Sequence, residues 1–300
     1  MDQTAVKMGT DGGAPLMPVP DQPPAGGMIA GALMCLLSMT SIQFGAALSS
    51  TAIDLYGAVG ATWLRLGFAS LILVVIVRPN IFRYSRRQWL SALLLGTVTA
   101  CMTMSFFAAI QRIPLGLLVA IDFLGPLSVA AFGYGLGWRL AWPLVAGIGV
   151  LLLARDGQGW VGNLPGVLFA LASAVGWAVY IILTKKVGAA FKGFEGLAMS
   201  LTVAALVATP FGLPMAIGAL SLKGLGEMLC LAVLVPLLPY ALEMVALRRM
   251  PTASFGILMS LEPALGALAG FLVLAQPMTI LQMFGTAFVV AASVGATLAP

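Results

Sequence analysis

The sequence predicts an all-α polytopic membrane protein with ten transmembrane helices arranged as two inverted five-helix repeats. Three observations lead to this prediction: an apolar composition, a series of apolar segments, and an internal repeat. Of the 300 residues, 61% are hydrophobic and 8% are charged, whereas soluble chains are about half apolar and about a quarter charged. The composition therefore excludes a soluble enzyme, a nucleic-acid-binding protein and a disordered chain.

The ionisable residues and cysteines exclude further kinds of site. A formal net charge of +5 fits the excess of Lys and Arg in the cytoplasmic loops of inner-membrane proteins. It does not indicate a nucleic-acid partner, because no basic cluster is interleaved with aromatic residues. The chain has no histidine, and its three cysteines lie in apolar runs without paired spacing. We therefore expect no cofactor, no metal site and no disulfide.

The apolar segments begin after residue 27. Residues 1–27 are rich in Pro and Gly, and we expect them to form a disordered cytoplasmic tail. A helix needs about 20 apolar residues to cross the hydrocarbon layer of a bilayer. Ten such segments are predicted, at 28–50, 58–77, 89–110, 115–134, 140–154, 164–185, 196–217, 225–247, 252–274 and 278–298.

The distribution of Lys and Arg predicts the orientation in a bacterial inner membrane. If both termini are cytoplasmic, the cytoplasmic segments carry eleven of these residues and the outer loops carry three. Cytoplasmic loops of membrane proteins carry the excess of positive charge. The outer three are Arg112, Arg155 and Lys223, and the cytoplasmic eleven are Lys7, Arg78, Arg83, Arg86, Arg87, Arg139, Lys185, Lys186, Lys192, Arg248 and Arg249.

The chain also repeats itself at an offset of 137 residues. When 109–133 is aligned with 246–270, seven of the twenty-five positions are identical, including one Arg and two Pro. Helices 1–5 (28–155) are therefore predicted to repeat as helices 6–10 (164–298). Because five is odd, the two repeats cross the membrane in opposite senses. Inverted repeats of this kind are typical of alternating-access carriers, which bind their substrate between the repeats near mid-membrane.

Several stretches resemble the drug/metabolite transporter superfamily in its ten-helix form with two EamA-type domains. The resemblance covers about 28–298 and is most specific in the stretch LLPYALEMVALRRMPTASFGILMSLEPALGAL at 237–268. Within the superfamily, the chain is most similar to bacterial exporters of threonine and homoserine. This resemblance implies a secondary active exporter of small hydrophilic amino acids that uses the proton gradient. The other matching stretches are 41–49, 63–73, 113–127 and 176–183.

Four ionisable side chains fall inside predicted helices. Each costs at least about 2.5–3.5 kcal/mol if it is left in lipid, so we expect each to face the interior of the helix bundle. Three lie near mid-membrane, and the fourth, Glu243, lies about 6 Å from the inner end of its helix. Prolines lie close to the acidic residues in three of these helices. They are expected to interrupt helix 4 at 126, helix 8 at 236 and 239, and helix 9 at 263. The three mid-membrane residues are Arg65, Asp122 and Glu262.

These four residues fit the needs of a carrier for zwitterions. An amino acid requires a cation for its carboxylate and an anion for its ammonium group, which Arg65 and the mid-membrane acids provide. A proton-coupled carrier also requires an acid that is neutral in one state and charged in another, for which Glu262 and Asp122 are the candidates. An alternative is that Arg65 only pairs with one acid and joins two helices. Glu243 could likewise reach the interface and meet Arg248 or Arg249.

Polar and aromatic residues complete the predicted site. Trp177 and Tyr180 share one face of helix 6, Tyr240 shares a face of helix 8 with Glu243, and Gln43 offers a polar contact from helix 1. The aromatic residues could wall the cavity, or simply pack between helices.

Two alternatives to amino-acid export remain. One is export of another metabolite or a drug by the same fold. The other is a membrane-embedded enzyme with Asp122 and Glu262 as an acid–base pair. The enzyme is disfavoured because the chain lacks histidine and any HExxH or Ser–Lys arrangement, so we assign no catalytic residue.

Overall fold

The computed structural model describes residues 25–132, 141–155, 159–247, 249, 255 and 258–298, and these are almost entirely helical. The only β-bridge among them is the isolated pair Arg155–Trp160, so the prediction of an all-α protein is confirmed. Most of the predicted tail lies outside the described residues, whereas Ala25–Gly27 begin the first helix. The helices are α1 (Ala25–Val77), α2 (Arg86–Ile110), α3 (Leu115–Asp122), α4 (Leu124–Phe132), α5 (Ala141–Leu153), α6 (Leu164–Ala190), α7 (Glu195–Ala216), α8 (Leu222–Ala232), α9 (Leu238–Leu247), α10 (Glu262–Leu274) and α11 (Ile280–Leu298).

Five of the described helical stretches are long and apolar enough to cross a membrane, judged by length and composition. The first, Gly27–Val77, has 51 residues, or about 77 Å at 1.5 Å per residue. This is more than twice the hydrocarbon thickness of about 30 Å, so the stretch is long enough for two crossings. Shorter apolar helices occupy 115–129, 141–153, 262–274 and 280–295. The protein is thus an all-α membrane protein.

A single glycine divides α1 into two helices. Gly57 has φ 70° and ψ 161°, a backbone conformation that is essentially restricted to glycine. Ser49 and Arg65, each eight residues from Gly57, are joined by a hydrogen bond of 3.1 Å from Arg65 Nη1 to Ser49 Oγ. The two halves of α1 therefore fold back on each other. The sequence predicted a connection at 51–57, but the first half remains helical up to Tyr56.

The expected proline interruptions lie close to the acidic residues. Phe123 separates α3 from α4, and Pro126 has no N–H to donate to the Asp122 carbonyl. A π-helical segment, Val233–Leu237, contains a non-helical residue and Pro236, and it joins α8 to α9. α10 begins at Glu262, with a proline directly after it. Two of the interruptions place an acid at a helix end, since Asp122 is the last residue of α3 and Glu262 is the first residue of α10.

The helices pack into one bundle, in which α3 and α10 are in close contact. α3 packs on α10 so closely that a Cβ on Gly116 would lie 3.1 Å from Ala267 Cα, and one on Gly266 would lie 2.7 Å from Val119 Cγ2. α1 packs on α7, α8, α9 and α10, α2 packs on α6 and α7, α6 also contacts α3 and α4, and α5 packs on α11. The close approach of α3 and α10 leaves the main cavity to one side of this contact.

Candidate functional site

All eight residues singled out from the sequence line one cavity of about 640 Å³. The cavity is enclosed mainly by α1, α2, α3, α6, α9 and the start of α10. It extends from the interior of the bundle to Gly193, in the connection between α6 and α7. The eight residues are Gln43, Arg65, Asp122, Trp177, Tyr180, Tyr240, Glu243 and Glu262.

Arg65 is the cation of this cavity and is 3% exposed. In addition to its bond to Ser49, its guanidinium carbon lies 3.7 Å from the centroid of the Phe107 ring. Its Nε has no hydrogen-bond partner among the described residues. The structure forms no ion pair between Arg65 and any described acid; the pair it does contain, Lys223–Glu227 at 3.8 Å, is largely exposed. The alternative in which Arg65 pairs with one acid is therefore wrong for this conformation.

Glu262 is held by Gln43. Gln43 Nε2 donates a hydrogen bond of 3.0 Å to Glu262 Oε1, and the two side chains are 1% and 2% exposed. Gln43 Oε1 and Glu262 Oε2 have no partner among the described residues. A buried acceptor without a donor is costly, so this end of the cavity is suited to a molecule that donates hydrogen bonds.

Asp122 and Glu243 contribute two further carboxyl groups. Asp122 is the last residue of α3, and its Oδ1 has no partner among the described residues. Glu243 accepts a hydrogen bond of 2.7 Å from Ser38 Oγ. Glu243 forms no ion pair with Arg249, which is exposed, and Arg248 lies outside the described residues. Glu262 lies close enough to both acids for their charges to interact.

Each of the three aromatic residues packs against another aromatic ring and also lines the cavity. Tyr180 and Tyr240 stack with ring centroids 6.1 Å apart and an interplanar angle of 20°. Trp177 meets Phe123 edge to face, with centroids 6.1 Å apart. Packing and cavity lining are therefore not exclusive roles here.

Sequence reasoning missed the hydroxyl and aromatic partners of the charged groups: Ser38, Ser49 and Phe107. Ser38 and Ser49 are eleven residues apart, about three helical turns, and so share a face of α1. That spacing is a signal that could have been used. Serine is, however, common in apolar helices, where its hydroxyl can bond to its own backbone.

The arrangement can hold a molecule that carries both an anionic and a cationic group. One guanidinium and three carboxyl groups face the same chamber, and charge-assisted hydrogen bonds are strong where water is excluded. Most of the remaining lining is apolar or aromatic, including Phe106, Leu127 and Ile181. Such walls suit a small ligand with a short side chain.

Comparisons with known proteins identify a family and several relatives. The sequence model of the EamA-like transporter family matches residues 164–298. The chain is 39% identical over 270 residues to the threonine/homoserine exporter RhtA of Salmonella typhimurium (strain LT2), covering 89% of this chain and 90% of that protein. It is 38% identical, with the same coverage, to the protein of the same name in Escherichia coli (strain K12). It is also 29% identical over 151 residues to the uncharacterized transporter YvbV of Bacillus subtilis, covering 47% and 48% of the two chains.

A solved crystal structure has the same fold. It is 18% identical, has a TM-score of 0.57, and covers 91% of this chain and 96% of its own. The resemblance to a transporter family, noted from the sequence, is confirmed. Because the named relatives are transporters, the membrane-enzyme alternative is set aside. With this fold and with two exporters nearly 40% identical over most of its length, the chain belongs to the EamA-like transporter family.

Proposed function

We propose that this protein is a secondary exporter of small zwitterionic amino acids of the threonine and homoserine type. The observation that carries the proposal is a buried arginine that shares a cavity with three carboxyl groups and pairs with none of them. An amino acid supplies a carboxylate for the cation and an ammonium group for an acid. The names of the RhtA relatives add support for this class of substrate.

Each end of the zwitterion has an assigned partner. The planar guanidinium of Arg65 can bind the substrate carboxylate through two parallel hydrogen bonds. Glu262, positioned by Gln43, is the first partner of the ammonium group, and Glu243 and Asp122 add negative charge to the same chamber. Tyr180, Tyr240 and Trp177 form an aromatic wall, which is attractive to a cation as well as to apolar groups.

Proton coupling is assigned to Glu262. An exchanger that closes around an empty, charged cavity would lose its coupling, so the acid should change sides either protonated or paired with the substrate ammonium. Glu262 meets this need because it is buried, lies at a helix start and retains an unpartnered oxygen. Asp122 is the second candidate for this role.

Alternating access through two inverted five-helix repeats, 28–155 and 164–298, forms part of the proposal. If helices 6–10 repeat helices 1–5, contacts should occur in equivalent pairs. The contact of α2 with α6 corresponds to that of α1 with α8 and α9, and α3 with α10 and α5 with α11 are contacts between equivalent helices. This pairing supports an approximate two-fold axis that passes through the cavity.

Radiolabelled threonine counterflow in proteoliposomes tests the substrate assignment. We expect unlabelled threonine and homoserine inside the vesicles to accelerate uptake of labelled threonine, and drug-like cations and nucleobases to have little effect. Vesicles without protein provide the control. Counterflow that responds to a drug or nucleobase and not to amino acids would favour export of another solute by the same fold.

We further propose that the protein lies in the bacterial inner membrane with both termini cytoplasmic. This orientation follows from the eleven-to-three distribution of Lys and Arg. It places the mouth of the cavity near Gly193 on the cytoplasmic side, from which an exporter collects its substrate.

Labelling of single cysteines tests the orientation. Phe82 is 93% exposed and Leu222 is 89% exposed, and they precede α2 and begin α8. In a variant without the three native cysteines, we expect Phe82→Cys to resist an impermeant thiol reagent in whole cells and Leu222→Cys to react. After the cells are broken, both should react. The opposite labelling in whole cells would show that the protein has the inverse topology.

A further inference from the structure

Ser173 differs from most buried hydroxyls among the described residues. Ser49, Thr62 and Thr99 each donate to the carbonyl oxygen four residues earlier, at 2.7, 2.8 and 2.8 Å. Ser173 lies on α6, is fully buried, and makes no such bond; its Oγ has no partner among the described residues. The hydroxyl therefore has a donor and an acceptor to offer inside the cavity that it lines.

Asp122 faces Ser173 across the contact between α3 and α6, near enough for its carboxyl group to interact weakly with the hydroxyl, although neither Asp122 Oδ1 nor Ser173 Oγ has a partner at full hydrogen-bonding geometry. Asp122 is nevertheless only 7% exposed. Nearby, a Cβ on Gly125 would clash with the backbone oxygen of Ala174, so α4 and α6 are in backbone contact next to the pair. The separation of the two side chains is therefore fixed by packing rather than by flexible loops.

The two atoms complement an alcohol. A substrate hydroxyl can donate to Asp122 Oδ1 and accept from the Ser173 hydroxyl at the same time. A methyl group in the same place can do neither, and it would leave both buried groups unpaired. The backbone carboxylate and ammonium of an amino acid are already assigned to Arg65 and Glu262, which leaves this pair for the side chain.

We infer that Asp122 and Ser173 form a subsite for the side-chain hydroxyl of the substrate. This inference rests on the proposed function, and it assigns the preference for hydroxylated over aliphatic amino acids to two named residues. A site built to bond a hydroxyl rejects the analogue that lacks it far better than an apolar pocket rejects an added hydroxyl. The chemistry thus selects threonine over valine and homoserine over norvaline, which are pairs of nearly equal shape.

Competition against labelled threonine counterflow in proteoliposomes tests the subsite. For the unmodified protein we expect threonine to compete about 10- to 100-fold better than valine, because a single hydrogen bond to a charged group changes affinity by about this factor. In Ser173→Ala we expect this ratio to fall to about threefold or less, and Asp122→Asn, which keeps an acceptor oxygen but loses the charge, should also lower it. Homoserine and norvaline should follow the same pattern.

Ser200→Ala is the matched control. Ser200 is a buried serine without a hydrogen-bond partner among the described residues, it lies on α7, and it does not line the cavity. It should keep the unmodified ratio. Thermal unfolding of each purified variant in detergent identifies any that fails to fold, and Ser173→Ala, which removes one atom, is the milder of the two test variants.

The outcomes separate this inference from the proposed function. If the unmodified protein exchanges no amino acid, the proposed function fails. If it exchanges threonine and valine equally well, or if Ser173→Ala weakens both to the same extent, the function stands and the hydroxyl subsite is overturned. A ratio that falls equally in Ser200→Ala also overturns it.

Discussion

Arg65→Gln should abolish threonine exchange at ordinary substrate concentrations. Arg65 is the single Lys or Arg among the described residues that line the cavity, so no second cation can meet the substrate carboxylate. Removing one partner of a buried, hydrogen-bonded charge pair costs about 2–5 kcal/mol, or roughly 30- to 4,000-fold in affinity. Arg65→Lys should lose less, because it keeps the charge but not the planar pair of donors. The half-saturating threonine concentration in counterflow measures both effects.

Two control variants separate binding by Arg65 from its structural contacts. Arg83→Gln removes the same charge from an exposed turn before α2 and should leave exchange unchanged. Ser49→Ala removes the hydrogen bond between the halves of α1 but keeps the guanidinium. If Ser49→Ala reproduces the full loss seen in Arg65→Gln, the arginine acts by holding α1 together and not by binding substrate.

Glu262→Gln should uncouple export from the proton gradient. Glutamine keeps the size of the side chain and one acceptor oxygen for Gln43, but it cannot gain or lose a proton at physiological pH. We expect the acceleration of export by an imposed pH gradient to disappear, while exchange at equal pH continues at a reduced rate through the remaining acids. Transport by proteoliposomes with and without a gradient measures the difference.

Glu227→Gln provides the matched control for this variant. Glu227 is half exposed, pairs with Lys223 on α8, and does not line the cavity. It should respond to the gradient as the unmodified protein does. If Glu262→Gln exports with unchanged rate and unchanged dependence on the gradient, Glu262 is not the coupling acid, and Asp122 takes its place as the candidate.

The site residues could be predicted because charged groups in an apolar helix have few acceptable positions. Arg65, Asp122 and Glu262 cannot face lipid at low cost, and the structure places all three along one cavity. Their immediate partners could not be predicted in the same way. The hydroxyls of Ser38 and Ser49 look like the many serines that bond to their own helix, and their roles depend on which helices meet.

The helices themselves could be predicted more securely than their ends. Long apolar segments and interrupting prolines are local signals, and the structure follows them near residues 126, 236 and 263. The predicted segments left a connection at 51–57, but helix continues through Thr51 and Asp54, which are both exposed. Only Gly57 adopts the conformation that turns the chain.

The turn at Gly57 also bears on how the charged groups of the cavity can move relative to one another. Arg65 lies on the α1 hairpin, whereas Asp122 and Glu262 lie next to helix breaks. Arg65 lies on the uninterrupted second half of α1, which is tied to the first half through Ser49, so we expect this hairpin to move as one unit. Asp122 immediately precedes a helix break, and Glu262 immediately follows another. A rotation at either break changes the separation between a carboxyl group and the guanidinium while the arginine stays in place. The electric field across a bound zwitterion can therefore be altered by turning the anionic side alone.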